Sequence, residues 1–124
     1  MRLTALAIVL LGAPAAQAQP APETFPRAVV QFLDAELPKM DRAIAERDRT
    51  FFPDSLVRSR KFLQSWAQGE REVALSTYPM CADAMTEYLI VGLCKVVPAN
   101  AICEPATFVP KFERNLADCR AAAH

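Results

Sequence analysis

The chain has 124 residues, and its fourteen lysines and arginines are matched by fourteen aspartates and glutamates. A surface with no excess of either sign gives no electrostatic reason to bind nucleic acid or an anionic membrane. Its one histidine is His124, the last residue, which removes core Ser–His and Cys–His pairs, HExxH zinc sites and internal histidine ligands for haem.

Met1-Arg2, an apolar run from Leu3 to Leu11, and Ala16-Gln17-Ala18 follow in order. That is the pattern of a secretory signal with an A-x-A cleavage site, so residues 1–18 are predicted to be removed and the mature chain to start at Gln19. The apolar run is far shorter than the roughly 20 residues that span a bilayer. No cysteine follows it to carry a lipid, and no membrane insertion is expected after cleavage. Taking 18 from 124 leaves 106 residues, enough for a single domain over 24–124 with a modest core. Losing Arg2 leaves thirteen basic against fourteen acidic groups, a formal charge of −1. The expected location is the periplasm or the exterior, an oxidising compartment in which cysteines pair.

Residues 19–23 are rich in proline and alanine and are expected to form a disordered leader. Phe25, Val29, Phe32, Leu33, Leu37, Met40 and Ile44 then recur at spacings of three and four, predicting a helix with Asp34, Glu36, Asp41, Arg42 and Glu46 on its remaining surface. Thr24 is a candidate cap, with Pro26 in the first turn. Pro38 lies inside the pattern and predicts a bent helix or two collinear pieces.

The stretch Arg49 to Asp54 breaks the period and marks a turn. A second helix is predicted from Pro53 or Asp54, with Phe52, Leu56, Ser59, Leu63 and Trp66 on one face and an Asp54–Arg58 pair one turn apart on its surface. Gly69 is the predicted C′ residue. Glu70-Arg71-Glu72 opens a third segment, which Pro79 interrupts and which resumes with Cys81, Ala84, Met85, Tyr88 and Leu89 on one side. The run from Leu89 to Cys94 is apolar nearly all round, and helix is preferred because the chain offers no strand for it to pair with. Val97 to Asn100 is read as a turn. Pro105 or Thr107 starts the last helix, with Phe108, Phe112, Leu116 and Cys119 as its stripe and Ala121 to His124 expected to fray. Four helical segments joined by short connections predict an all-α fold, a small antiparallel four-helix bundle.

All four cysteines fall in the C-terminal third: Cys81, Cys94, Cys103 and Cys119. Four cysteines allow three pairings, and sequence alone does not choose among them. Facing residues on antiparallel helices have position numbers that add to a near-constant total, and 81 with 119 and 94 with 103 give totals only three apart. A nested pairing, Cys81–Cys119 outside and Cys94–Cys103 inside, therefore sits level across one hairpin. Cys81 and Cys94 on an unbroken helix would be roughly 20 Å apart along the axis, against a limit of roughly 7 Å between bonded Cα atoms. The nested layout resembles the stapled hairpin of coiled-coil-helix–coiled-coil-helix proteins, with longer gaps of twelve and fifteen residues between the cysteines of each helix. No function is carried across from that resemblance. The four-cysteine helical layout and the step Cys103-Glu104-Pro105 are also loosely similar to small helical immunity proteins of the Rap/Tai sort.

The search for chemistry returns little. There is no CxxC, no CxxCH and no glycine-rich phosphate loop, so structural disulfides, core methionines and no cofactor or metal are expected. Carboxylates lie among lysines and arginines, as on a solvated helix face. Phe51, Phe52 and Trp66 with Arg49, Arg58 and Lys61 form a candidate interaction surface, since aromatics beside arginine are what binding hot spots favour. Core packing is the competing account of the same aromatics. The function expected from these readings is an exported, non-catalytic protein-interaction module of immunity, inhibitor, adaptor or assembly-factor type, with an unknown protein as its partner. The alternative is a carrier of a small apolar ligand held between the helices, for which a cavity beside Trp66 or Met85 would speak.

Overall fold

The computed structural model describes residues 12–13, 20–97 and 103–124. The predicted signal segment, apart from two residues, and the turn beyond Val97 lie outside the described residues. Those residues form five α-helices and no β-strand: α1 (Phe25–Glu46), α2 (Phe51–Trp66), α3 (Glu72–Thr77), α4 (Pro79–Val96) and α5 (Pro105–Ala122). The bundle is all-α, as predicted, with α3 as an extra single-turn element. Pro79 accounts for it, because the residue before a proline is pushed out of the helical region, and Tyr78 sits at φ −121°, ψ 62°. The chain bends there and α4 starts afresh.

Side-chain contacts give the directions of the helices. Phe25 of α1 lies against Trp66 at the end of α2, with ring centroids 5.1 Å apart, and Glu36 meets Ser55, so α1 and α2 are antiparallel. Ser55 meets Tyr88 and Ser59 meets Met85, which sets α2 antiparallel to α4. Disulfides join Cys81 to Cys119 and Cys94 to Cys103, with Cα atoms 5.0 and 5.3 Å apart. This is the nested pairing, and it clamps α4 antiparallel to α5. On the α1 side, α5 is held by Arg120–Asp34 at 2.7 Å and by the Arg27 guanidinium donating to the main-chain oxygen of His124 at 2.7 Å. Residues 121–124, expected to fray, are thus held by the helix to Ala122 and by Arg27.

The core is built from Phe25, Val29, Leu33 and Met40 of α1, Met85, Tyr88 and Leu89 of α4, and Phe112 of α5. Helix α4 is buried on most of its circumference, which is why its sequence shows so weak a stripe. Gly92 of α4 faces the side chains of Met40 on α1 and Phe52 on α2. A β-carbon at Gly92 would collide with the Met40 sulfur and come within 3.0 Å of the Phe52 ring.

Several local expectations need correction. Helix α1 runs without interruption through Pro38, so it is not divided into two pieces. Pro38 and Asp34 are both exposed, so the carbonyl that loses its donor is open to water. Thr24 gives no side-chain cap; its hydroxyl donates back to the Ala21 carbonyl at 2.6 Å. That bond belongs to a 3-10 turn over Pro22–Thr24, so the end of the predicted disordered leader is structured. Helix α2 starts two residues early, at Phe51, and ends at Trp66 with Ala67 as its cap. Gly69 is not C′ but opens a 3-10 turn, Gly69–Arg71, with a left-handed φ of 59°.

Two predictions follow from this packing. Replacing Cys81 and Cys119 by serine, which opens a crosslink of sequence separation 38, is expected to lower stability by about 4 kcal/mol. Opening Cys94–Cys103, of separation 9, is expected to cost about 3 kcal/mol. Urea titration of the two double variants checks the order. Gly92→Ala is expected to destabilise by about 1–3 kcal/mol through overpacking although alanine favours helix. The same change in a Met40→Ala background should cost less, and a double-mutant cycle measures the difference.

Candidate functional site

Glu36 has the least expected placement of any charged residue. It falls on α1 one turn from Leu33 and one turn from Met40, which puts it on the apolar face, and it is 3% exposed. Arg58 from α2 meets its carboxylate with both arms of the guanidinium: Nε donates to Oε1 at 3.0 Å and Nη2 to Oε2 at 2.8 Å. The Ser55 hydroxyl donates to Oε2 at 2.7 Å. Because that uses the only proton of Ser55, the Tyr88 hydroxyl, 2.6 Å from Ser55 Oγ, is the donor there. A chain of bonds therefore runs from Tyr88 on α4 through Ser55 on α2 to Glu36 on α1. One turn on, Ser59 donates to the Met85 carbonyl at 3.2 Å.

Burial pushes the Glu36 carboxyl upward. The hydrogen bonds from Arg58 and Ser55 and the charges of Arg58 and Lys39 outweigh it, so the group is held below the ordinary carboxylate value. Tyr88 is pushed up, first by burial and also by the charge of Glu36, against the lowering effect of its bond to Ser55. Arg58 is raised by its bonds to Glu36. The predicted Asp54–Arg58 pair is replaced by this longer-range one, and Glu36 is a core residue where a surface residue was expected. Ser55 and Ser59 explain a second correction. The buried face of α2 is Phe51, Ser55, Ser59 and Trp66, whereas Leu56 is 40% exposed.

A second buried carboxylate, Glu87, joins α4 to α5. Asn115 Nδ2 donates to its Oε2 at 3.0 Å, and Lys111 Nζ lies 3.0 Å from Oε1. That contact raises the exposed Lys111 ammonium above its ordinary value. Glu36, Glu87, Ser55 and Asn115 were all missed in the sequence, whereas Ser59 was placed on the face of Trp66, where it lies. For Glu36 a signal existed, since a carboxylate at three and four residues from two core positions must be buried or must break the stripe.

The six residues read as one interaction surface do not come together as one. Phe51 and Trp66 are buried, at opposite ends of α2. Trp66 packs on Phe25 and Phe62, with the Arg71 guanidinium 5.9 Å from its ring centre. Phe51 packs edge-on against Phe52 at 5.4 Å, with Arg58 above it at 5.8 Å. Core packing is the account that fits both, and Arg58 is bound to Glu36. Lys61 is exposed on α2. Phe52 and Arg49 remain near one another at a solvent-facing cleft.

Two surface concavities meet at Phe52. An apolar groove of about 300 Å³ between α2 and α4 is lined by Phe52, Pro53 and Leu56 on one side and Thr86, Leu89, Ile90 and Leu93 on the other. A cleft of about 360 Å³ beyond it is lined by Ile44, Arg47, Asp48, Arg49, Phe52, Lys95 and Val96. Neither touches Trp66 or Met85, the positions at which a ligand cavity was expected. Met85 is fully buried, so no water-sized space adjoins it. Compared with known proteins, the chain matches no family model, no curated protein and no solved structure.

The lowered carboxyl of Glu36 has a definite pH signature. Its folded value lies below its unfolded one, so its contribution is complete above the unfolded value and is lost as pH falls through the folded value. Glu36→Gln is expected to cost about 2–3 kcal/mol at neutral pH, less than a wholly buried pair because the Arg58 side chain is 41% exposed. Chemical denaturation of both proteins from neutral to strongly acidic pH should show the gap closing below about pH 4. Tyr88 has the opposite sense: its contribution is complete below the unfolded tyrosine value and falls as pH rises beyond it.

Proposed function

We propose that this chain is an exported, non-catalytic interaction module, of the immunity, inhibitor, adaptor or assembly-factor kind, acting in the periplasm or outside the cell. The observation that carries the reading is the pair of leucines left on the surface between α2 and α4. Leu56 and Leu93 are each 40% exposed, on the two walls of one apolar groove. Val57 and Val73 are more exposed and lie outside the groove, but two leucines on facing walls make a contiguous apolar surface suited to a partner. The polar groups of the interior support the same reading from the other side. Glu36, Ser55 and Tyr88 are each hydrogen-bonded within the bundle, and Glu87 is held by Asn115 and Lys111. They act as supports between helices. Two disulfides suit an oxidising compartment, which is the ground for the proposed location.

The carrier reading has less to stand on, because the interior beside Met85 and Trp66 is filled.

The test is affinity capture with the oxidised mature protein from periplasmic and secreted fractions, run beside Leu56→Asp and Leu93→Asp variants. Both positions are exposed, so both variants should fold with stability within about 0.5 kcal/mol of the parent. The expected result is a partner retained by the parent and lost by both variants. No specific partner under several growth conditions would sink the proposal.

A further inference from the structure

We infer that the groove between α2 and α4 receives an amphipathic helix of a partner protein, and that this helix ends in an acidic turn seated against Arg47, Arg49 and Lys95. The inference rests on the interaction-module reading and adds the chemistry of the partner.

The shape comes first. The groove follows α4 from Thr86 to Leu93, and the cleft continues it to Val96. Ten residues of helix span about 15 Å, or roughly three turns. That length accepts apolar anchors at i, i+3 or i+4, and i+7 of a docked helix. The lining of the groove holds no charged residue. It is also open along its side, as the exposure of Leu56 and Leu93 shows. A small ligand would leave much of its surface in water there, whereas small-molecule sites enclose about 70–90% of what they bind. A helix brings the missing wall with it.

The charge decides the rest. Arg47, Arg49 and Lys95 face a single acid in the cleft, Asp48. Asp48 is held in place by Thr50, whose N–H and hydroxyl donate to its Oδ1 at 2.9 and 2.6 Å, and it keeps its charge. All fourteen acidic residues of the chain are among those described. None of them forms an ion pair with Arg47 or Arg49, and the nearest to Lys95 is Asp41 at 4.0 Å. Three cations therefore stand against Asp48 in the cleft and Asp41 at its edge, which leaves an excess of positive charge at one end of the apolar groove. The segment that carries it is fixed: Arg47 adopts a left-handed cap at the end of α1, with its N–H bonded to α1 carbonyls, and the Asp48 N–H donates to the Ala43 carbonyl at 2.8 Å. Acidic side chains at one end of a partner helix complement this arrangement, whereas basic ones are repelled.

The test is selection from a display library of helical peptides of about 18 residues, randomised on all faces, against the oxidised full mature chain, with Leu56→Asp as the counter-target. Enriched clones are expected to carry an apolar stripe and Asp or Glu concentrated in one terminal turn. A fluorescein-labelled winner should bind roughly tenfold or more weakly to Leu93→Asp and to the Arg49→Glu/Lys95→Glu double variant. A peptide with lysines in place of its acids should recover binding to that double variant, which a merely misfolded protein would not allow. Winners without acids, or binding indifferent to the double variant, overturn the charge assignment. Clones that bind Leu56→Asp equally place recognition elsewhere and overturn the groove, while the interaction-module reading survives. A dimer dissociated by Leu56→Asp assigns the groove to a second copy, and equal displacement of the peptide by laurate assigns it to a lipid; either result overturns the inference.

Discussion

The bundle depends on a carboxylate placed where water does not reach. Glu36 is tolerated there only because α2 supplies Arg58 and Ser55 at the level of its oxygens, with Tyr88 of α4 completing the chain of bonds. A buried charge without partners is very costly, so any slip of α2 along α1 by one turn is disfavoured far more than a slip between apolar faces would be. Hydrophobic contacts bring the helices together, and this constellation chooses which register they keep. Three of the four long helices are fixed by it.

The fourth is fixed covalently. Helix α5 has only two residues in the buried core, Phe112 and Cys119, and is held by the crosslinks to α4 at two levels, with Glu87 and its partners between them. Helix α4 is therefore the common element. One side faces the Glu36 constellation through Tyr88, another faces α5 through Cys81, Glu87 and Cys94, and a third carries Ile90 and Leu93 to the groove. A helix enclosed on most sides has to be apolar on most sides, and the open remainder forms one wall of the groove.

This division explains what was legible in the sequence. The apolar stripe of α1 and the nested cysteines pointed to the fold class and the antiparallel hairpin, because in α1 burial and helical period act on the same residues. The face of α2 was misread because Ser55 is buried by hydrogen bonding, which hydrophobic periodicity does not register, while Leu56 belongs to the surface. At Pro38 the helix is not split, because on an exposed stretch the missing donor leaves a carbonyl that water can satisfy. The partnership of Glu36 with Arg58 spans twenty-two positions, and nothing local announces it. The groove was invisible for a related reason, since its two walls come from residues some forty positions apart, brought level only by the crossing of α2 and α4.

The inner crosslink has a consequence for that groove. Leu93, on one wall, immediately precedes Cys94, which is tied to Cys103. Where thiols stay reduced, this tie does not form, and the end of α4 that bears the wall loses its anchor on the segment leading into α5. The geometry of that wall is therefore coupled to the oxidation state of Cys94 and Cys103.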